Sequence, residues 1–350
     1  MNYAFILAGG KGERLWPFSR EKKPKQLLKL FSDKTMIEET IGRLEGFISL
    51  DKTFIVCNRS LRDIILDYIP FLTKKNFIVE PMARNSAPAI YLASHYLERI
   101  DPQGIMYILP ADHYISPQDE LINTLKKAGK IADETYGLVT LGILPTYPEI
   151  GYGYIINRPD SYKVDEFTEK PELETAEKYF HSKKAYWNSG MFIWKNHTFL
   201  KELKQHQKND YLLLDQMKKY TLEEIQNGET EEIFKKITAN SIDYSIMEKS
   251  KNVYCIPATF HWNDVGSWNS FEKIIKPDKM NNTCKGKVYS LKSNRNIVFS
   301  DQQLIALFGV DDLTVVSTED VVFICPKKKN SMIKEFILSM RNEDDMKNYL

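Results

Sequence analysis

The first half of the chain alternates short apolar runs with longer amphipathic ones. The runs Tyr3–Leu7, Thr53–Cys57, Phe77–Val79, Ile105–Leu109 and Gly137–Leu141 predict strands. The stretches Thr35–Phe47, Ser60–Tyr68, Ala87–Glu98 and Gln118–Asp133 place apolar residues at helical spacing. This rhythm predicts a doubly wound α/β sheet. In such sheets ligands gather beyond the carboxyl ends of the strands, where "LAGGKGER" and "LPADHYI" both stand. From Gly151 the pattern becomes mixed: "GYGYIIN", a strand into "FTEKP", a helix over Glu172–Ser182, "YWNSGMFIW", then more helical sequence up to Met247. This part reads as a lid on the same sheet. After the polar connection Lys276–Gly286, five short β-type runs begin near Lys287, Asn296, Leu304, Leu313 and Val321, eight or nine residues apart. Regular spacing of this kind predicts a small all-β module, closed by a charged helix over Ser331–Leu350. The expected division is therefore 1–280 and 281–350.

Charge narrows the ligand. With 48 Lys and Arg against 47 Asp and Glu, the formal net charge is +1, which gives no general attraction for nucleic acid or anionic lipid. Any phosphate-binding charge must be concentrated locally, so a small phosphorylated ligand fits better than a polymer. At 350 residues, 43% of them apolar, the chain can bury one large core and a smaller module. The four cysteines, Cys57, Cys255, Cys284 and Cys325, form no C-x-x-C pair and read as reduced structural thiols. Tyr3–Leu7 is too short for a membrane span and its flank is unlike a signal peptide, so the expected address is the cytoplasm.

Local charge is found in "ILAGGKGERLWPFSREKKPKQ", Ile6 to Gln26. A Walker A loop would need Lys where Glu13 follows Gly12, and a dinucleotide fingerprint would need Gly where Leu15 stands, so both are excluded. What remains is G-G-x-G-x-R with Arg14 and Lys25 behind it. Glycines let backbone N–H groups approach phosphate oxygens while Arg and Lys neutralise them. Taken alone, the cluster is equally a tight turn with a solvated basic face.

Together, "LAGGKGERLWPFSREKKPKQ", "VEPMARNSAPAI", "LPADHYI", "GYGYI", "FTEKP", "WNSGMFIW", "SIDYSIMEKS" and "WNDVGSW" closely resemble the mannose-1-phosphate guanylyltransferases, or GDP-mannose pyrophosphorylases, of the sugar-nucleotidyltransferase superfamily. The likeness covers nearly the whole chain, and "LFGVDDLTVVSTEDVVFICPKKK" resembles the β-helix-type tail of these enzymes. It implies a Rossmann-like nucleotidyltransferase domain with a mixed sheet, plus a small C-terminal β-helix-like module. Bifunctional relatives add a cupin-type isomerase domain, for which this chain has no room, so the transferase alone is expected.

The implied reaction joins GTP and mannose 1-phosphate to give GDP-mannose and pyrophosphate. A sugar-phosphate oxygen attacks the α-phosphorus directly, without a covalent enzyme intermediate. Catalysis of such a step rests on cations, metal and alignment. The resemblance places Leu7, Ala8, Gly9, Gly10 and Gly12 around the triphosphate, with Arg14 as its counter-charge and Lys25 at the reacting phosphates. Asp112 and Asp264 are the implied Mg2+ ligands, since this ion takes a few carboxylate oxygens and completes its shell with water and phosphate. Read singly, either Asp is also a plausible cap or turn residue. His113 is expected to pack or hydrogen-bond, because the attacking phosphate is already ionised.

Glu80, Arg84, Asn85 and Ser86 offer the donors and acceptors that guanine needs, although Asn85 or Ser86 before Pro88 is equally a helix start. Glu169 and Asn188 resemble the family's sugar-hydroxyl contacts, and Lys170 lies near the sugar phosphate. Gly151 and Gly153 let backbone approach the sugar or simply bend a strand. Trp187, Phe192 and Trp194 are assigned to packing. The sequence leaves the oligomeric state open, a homodimer being one assembly it allows. Two rival readings stay open: a non-catalytic sugar-nucleotide sensor, and the same chemistry on another sugar 1-phosphate or nucleoside triphosphate.

Overall fold

The computed structural model describes residues 1–10 and 12–350, which form two compact units. The first comprises Met1–Gly9, Glu38–Ala111 and Ile115–Trp262; the second comprises Gly10–Ile37, Asp112–Tyr114 and Asn263–Leu350.

The first unit is built on the predicted sheet. Its parallel strands β1 (Asn2–Leu7), β2 (Thr53–Asn58), β3 (Phe77–Glu80) and β4 (Ile105–Pro110) lie in the order β4-β1-β2-β3. Each is an almost continuous apolar run because helices cover both faces of such a sheet. The sheet continues through β6 (Leu138–Ile143), β9 (Ala185–Lys195) and β10 (Val253–Pro257), with β9 antiparallel to both β4 and β6. The hairpin β7 (Tyr154–Asn157) and β8 (Val164–Thr168) adds to β9, so the sheet is mixed. Short strands β5 (Tyr114–Ser116) and β11 (His261–Asn263), which the apolar pattern does not predict, stand where the chain passes between units.

The helices follow the amphipathic stretches: α1 (Met36–Gly42), α2 (Arg59–Tyr68), α3 (Ser86–Ile100), α4 (Gln118–Thr135) and α5 (Leu173–Ser182). The first is shorter than Thr35–Phe47, the range its apolar spacing predicts. Gly42 and Gly46 lower helix propensity there, and Gly46 adopts φ +78°, which ends the regular turns. Trp187, Phe192 and Trp194 are buried, as their assignment to packing requires.

The five β-type runs of the second unit form as expected: β13 (Val288–Leu291), β14 (Ile297–Ser300), β15 (Ile305–Phe308), β16 (Leu313–Ser317) and β17 (Val322–Pro326). A further strand, β12 (Thr283–Lys285), lies inside the stretch read as a polar connection. Alternate runs pair in parallel, β12-β14-β16 in one sheet and β13-β15 in another, which is the stacking of a β-helix; β17 closes the first sheet antiparallel. The apolar anchors of the glycine-rich segment belong to this core. Leu15, Trp16 and Leu28 pack with Trp268, Phe271, Phe299, Phe323 and Ile337. Trp268 donates through Nε1 to the Trp16 carbonyl at 3.1 Å. The closing helix covers Ile333–Arg341 and is followed by a 3-10 turn over Asp344–Tyr349.

Candidate active site

Lys25 is the centre of the second unit's polar cluster. It follows Pro24, which holds φ at −66°, and begins a short 3-10 turn over Lys25–Leu27. The residue is buried, at 5% exposure. Nζ lies 2.8 Å from Asp112 Oδ2 and donates to the Asp264 carbonyl at 2.7 Å. Three residues far apart in sequence thus meet at one cation. Burial alone would raise the Asp112 carboxyl, but the Lys25 ammonium, aided by His113, holds it below the usual aspartate value.

Gly12 makes this placement possible. It adopts φ +66°, and a Cβ there would stand 2.4 Å from Lys25 Cβ. Gly10 has a different surrounding: its nearest neighbour to a built Cβ is Gln26 Nε2 at 4.0 Å, and that amide donates to the Gly10 carbonyl at 2.8 Å. One glycine therefore serves packing, while the other keeps open space beside a fixed backbone. Arg14 is exposed, as a counter-charge for a soluble anion must be.

Asp264 sits in a strained turn. Val265 adopts φ +50°, a conformation β-branched residues rarely take. Its N–H donates to Asn263 Oδ1 at 2.7 Å, and Gly266 N donates to Asp264 Oδ1 at 3.1 Å. The turn aims the Asp264 carbonyl at Lys25. Among the described residues no group of three or more His, Cys, Asp or Glu could cage a metal. Asp112 and Asp264 each meet Lys25, the first through its carboxylate and the second through its carbonyl.

In the first unit, Leu7 and Ala8 close the end of β1, where Ala8 N donates to the Val56 carbonyl at 2.9 Å. A Cβ built on Gly9 meets nothing within 4 Å. Glu80 ends β3 with its carboxyl buried and Oε1 without a partner among the described residues. Burial pushes its pKa up to about 8. The helix-start reading of the next segment holds: Asn85 caps α3 at φ +76°, and Ser86 opens the helix. Arg84 Nε donates to the Ile237 carbonyl at 3.1 Å, and Ser86 Oγ accepts from Ile242 N at 3.0 Å, so both are tied to the 237–242 segment.

Gly153, Glu169, Lys170 and Asn188 are brought together. Asn188 N donates to the Gly153 carbonyl at 2.8 Å, and a Cβ on Gly153 would stand 2.5 Å from Glu169 Oε2. That oxygen is buried without a partner among the described residues, while Oε1 lies 2.8 Å from Lys170 Nζ. Gly151 lies outside this group, its N–H turned to Glu149 Oε1 at 2.8 Å. Burial, then the neighbouring Asp243, raises the Glu169 carboxyl; burial raises Asp243 likewise. Asp243 and Glu248 stand in "SIDYSIMEKS", where Ser, Tyr and Lys alternate with the apolar residues and nothing in the pattern singles out either acid.

A mixed α/β sheet, and short parallel strands stacked as in a β-helix, are the architecture of a nucleotidyl transferase of this class. Residues 3–280 match the family described as Nucleotidyl transferase, and residues 286–339 match the MannoseP isomerase/GMP-like beta-helix domain. A mannose-1-phosphate guanylyltransferase of Escherichia coli is 37% identical, aligned over 96% of this chain and 72% of its own length. One of Klebsiella pneumoniae is 36% identical, over 95% of this chain and 72% of its own. A crystal structure from Thermus thermophilus, described as a mannose-1-phosphate geranyltransferase, superposes with TM-score 0.88 at 30% identity, covering 97% of this chain and 99% of that one. The chain belongs to the mannose-1-phosphate guanylyltransferases within the nucleotidyl transferase family.

Proposed function

We propose that the protein transfers GMP from GTP to α-D-mannose 1-phosphate, releasing pyrophosphate and giving GDP-mannose. The observation that supports this most is the Lys25 ammonium, buried and held between Asp112 and the Asp264 carbonyl. A lysine so fixed aligns phosphate oxygens rather than merely attracting them, and the reaction needs alignment and charge neutralisation more than a base.

In this reading Arg14 and the backbone of Leu7, Ala8, Gly9, Gly10 and Gly12 take the triphosphate, and Asp112 and Asp264 hold Mg2+. The ion would neutralise the phosphates and the leaving pyrophosphate. Glu80, Arg84, Asn85 and Ser86 serve the guanine, with the unpartnered Glu80 Oε1 as the group best placed to take a ligand hydrogen bond. Gly153, Glu169, Lys170 and Asn188 serve the sugar phosphate. Residues 1–280 form the catalytic domain and 281–350 the β-helix-like module. Among the described residues no helix is long and apolar enough to cross a membrane.

The test is pyrophosphate release over a grid of nucleoside triphosphates and sugar 1-phosphates with Mg2+. Highest efficiency with GTP and mannose 1-phosphate is expected. Higher efficiency with another pair would reassign the substrate, and no release with any pair would favour a sensor.

A further inference from the structure

Residues Asp243–Met247 form a π-turn, an uncommon winding that recurs at functional sites. Its bond runs from Glu248 N to the Asp243 carbonyl at 2.9 Å, five residues apart. In an α-helix residues five apart diverge around the axis, whereas the wider turn brings Asp243 and Glu248 towards one side. Both then reach the sugar-phosphate group. Glu248 Oε1 accepts from Glu169 N at 2.7 Å, and Asp243 Oδ1 accepts from Asn188 Nδ2 at 2.7 Å.

The Asn188 amide shows why the second bond matters. Its Oδ1 lies 3.0 Å from Thr140 Oγ1 and 3.3 Å from Gly190 N. Thr140 Oγ1 also lies 3.0 Å from the Met191 carbonyl, and it has one proton to give. When that proton goes to Met191, the threonine oxygen serves as an acceptor and no longer selects the amide oxygen. The Gly190 bond is long. Asp243 Oδ1, 2.7 Å away, is the strong selector: as an acceptor it requires Nδ2 on its side. With Oδ1 occupied and one Nδ2 proton given to Asp243, a single N–H of Asn188 remains for a ligand. Beside it lies the unpartnered acceptor Glu169 Oε2.

We propose that Asp243 is a positioning residue of the sugar-phosphate subsite, fixing the Asn188 amide so that its free N–H faces the sugar. This rests on the assignment of Asn188 and Glu169 to that subsite. The subsite then offers one donor and one acceptor in fixed positions, which suits a hydroxyl that accepts from Asn188 and donates to Glu169. Asp243 itself touches no substrate.

The experiment is steady-state kinetics of the full chain, each substrate varied, for Asp243→Ala, Asp243→Asn and Glu169→Gln, with a thermal melt of each. Asp243→Ala removes the selector and should raise KM for mannose 1-phosphate ~10- to 100-fold, with KM for GTP within about twofold of the parent. Asp243→Asn keeps an acceptor oxygen of the same shape and should recover much of that loss. Equal rises in both KM values, or an Asn variant no better than Ala, would overturn the proposal. If Asp243→Ala fails to fold, Asp243→Ser, whose short hydroxyl removes the carboxylate acceptor, takes its place: a selective rise in the sugar-phosphate KM supports the role, and its absence contradicts it. Glu169→Gln separates the underlying assignment. An unchanged sugar-phosphate KM there removes the subsite itself, whereas a raised one beside a parent-like Asp243→Ala removes only the role of Asp243.

Discussion

Glu80 and Asp112 are two acids with opposite responses to burial. Among the described residues no cation offsets the loss of water at Glu80, and burial raises its pKa from 4.5 to about 8. The folded protein then binds a proton that the unfolded chain releases, so stability is fully present below about pH 4.5 and falls as pH rises through about 8. Glu80→Gln keeps the shape and removes the charge. Denaturant unfolding without nucleotide, measured between pH 5 and pH 9, should lose part of its decline, with the variant ahead by up to a few kcal/mol at the alkaline end. An unchanged slope would place an ionised, solvated Glu80 in the folded state. Asp112 behaves conversely: Lys25 holds it low, so its contribution is present above the ordinary aspartate pKa and is lost as pH falls through the lowered value. Lys25 and Asp112 were legible as candidates because each stands within a distinctive stretch, "LAGGKGERLWPFSREKKPKQ" or "LPADHYI". Asp243 was not, because its role depends on a π-turn and on the hydrogen-bond count of Asn188, neither of which has a sequence signature.

At the scale of elements, strands of the β-helix-like module were legible from their even spacing, but their partners were not. Spacing shows that a chain turns; it does not show that Val288 pairs with Ile305 or Thr283 with Ile297. The pairing is fixed by buried asparagines at the corners. Asn296 Nδ2 donates to Asn282 Oδ1 at 3.0 Å and to the Val310 carbonyl at 2.9 Å, while its Oδ1 accepts from Leu313 N at 2.9 Å. One side chain satisfies groups from successive turns of the stack. Strand β12 was missed for the same reason: Asn282 beside it reads as loop until its amide is seen bonded to the Ser293 carbonyl at 2.9 Å. Asn296→Ala would leave several buried groups unpaired and should cost about 2–4 kcal/mol, read as a lowered melting temperature. A melt within about 1 °C of the parent would mean that water replaces the amide at little cost.

Over the whole molecule, the near-neutral charge leaves any phosphate-binding cations to be local. The sequence order of the chain proved a poor guide to its compact units. The segment Gly10–Ile37 follows β1 directly, yet it belongs with Asn263–Leu350, because Leu15 and Trp16 supply part of that unit's core. In sequence these two residues sit among charges and prolines and read as loop. Family membership and the meeting of Lys25, Asp112 and Asp264 lead to one central claim, that these three residues act as a unit on the reacting phosphates. The direct measurement is turnover in pyrophosphate release for Asp112→Asn, Asp264→Asn and the double variant, at saturating GTP and mannose 1-phosphate with Mg2+, alongside thermal melts. Each single variant should lose ~100-fold or more while melting near the parent temperature, and the double should be far less than multiplicatively worse, as for ligands of one ion. Turnover within a few-fold of the parent, or losses that multiply in the double variant, would contradict the account.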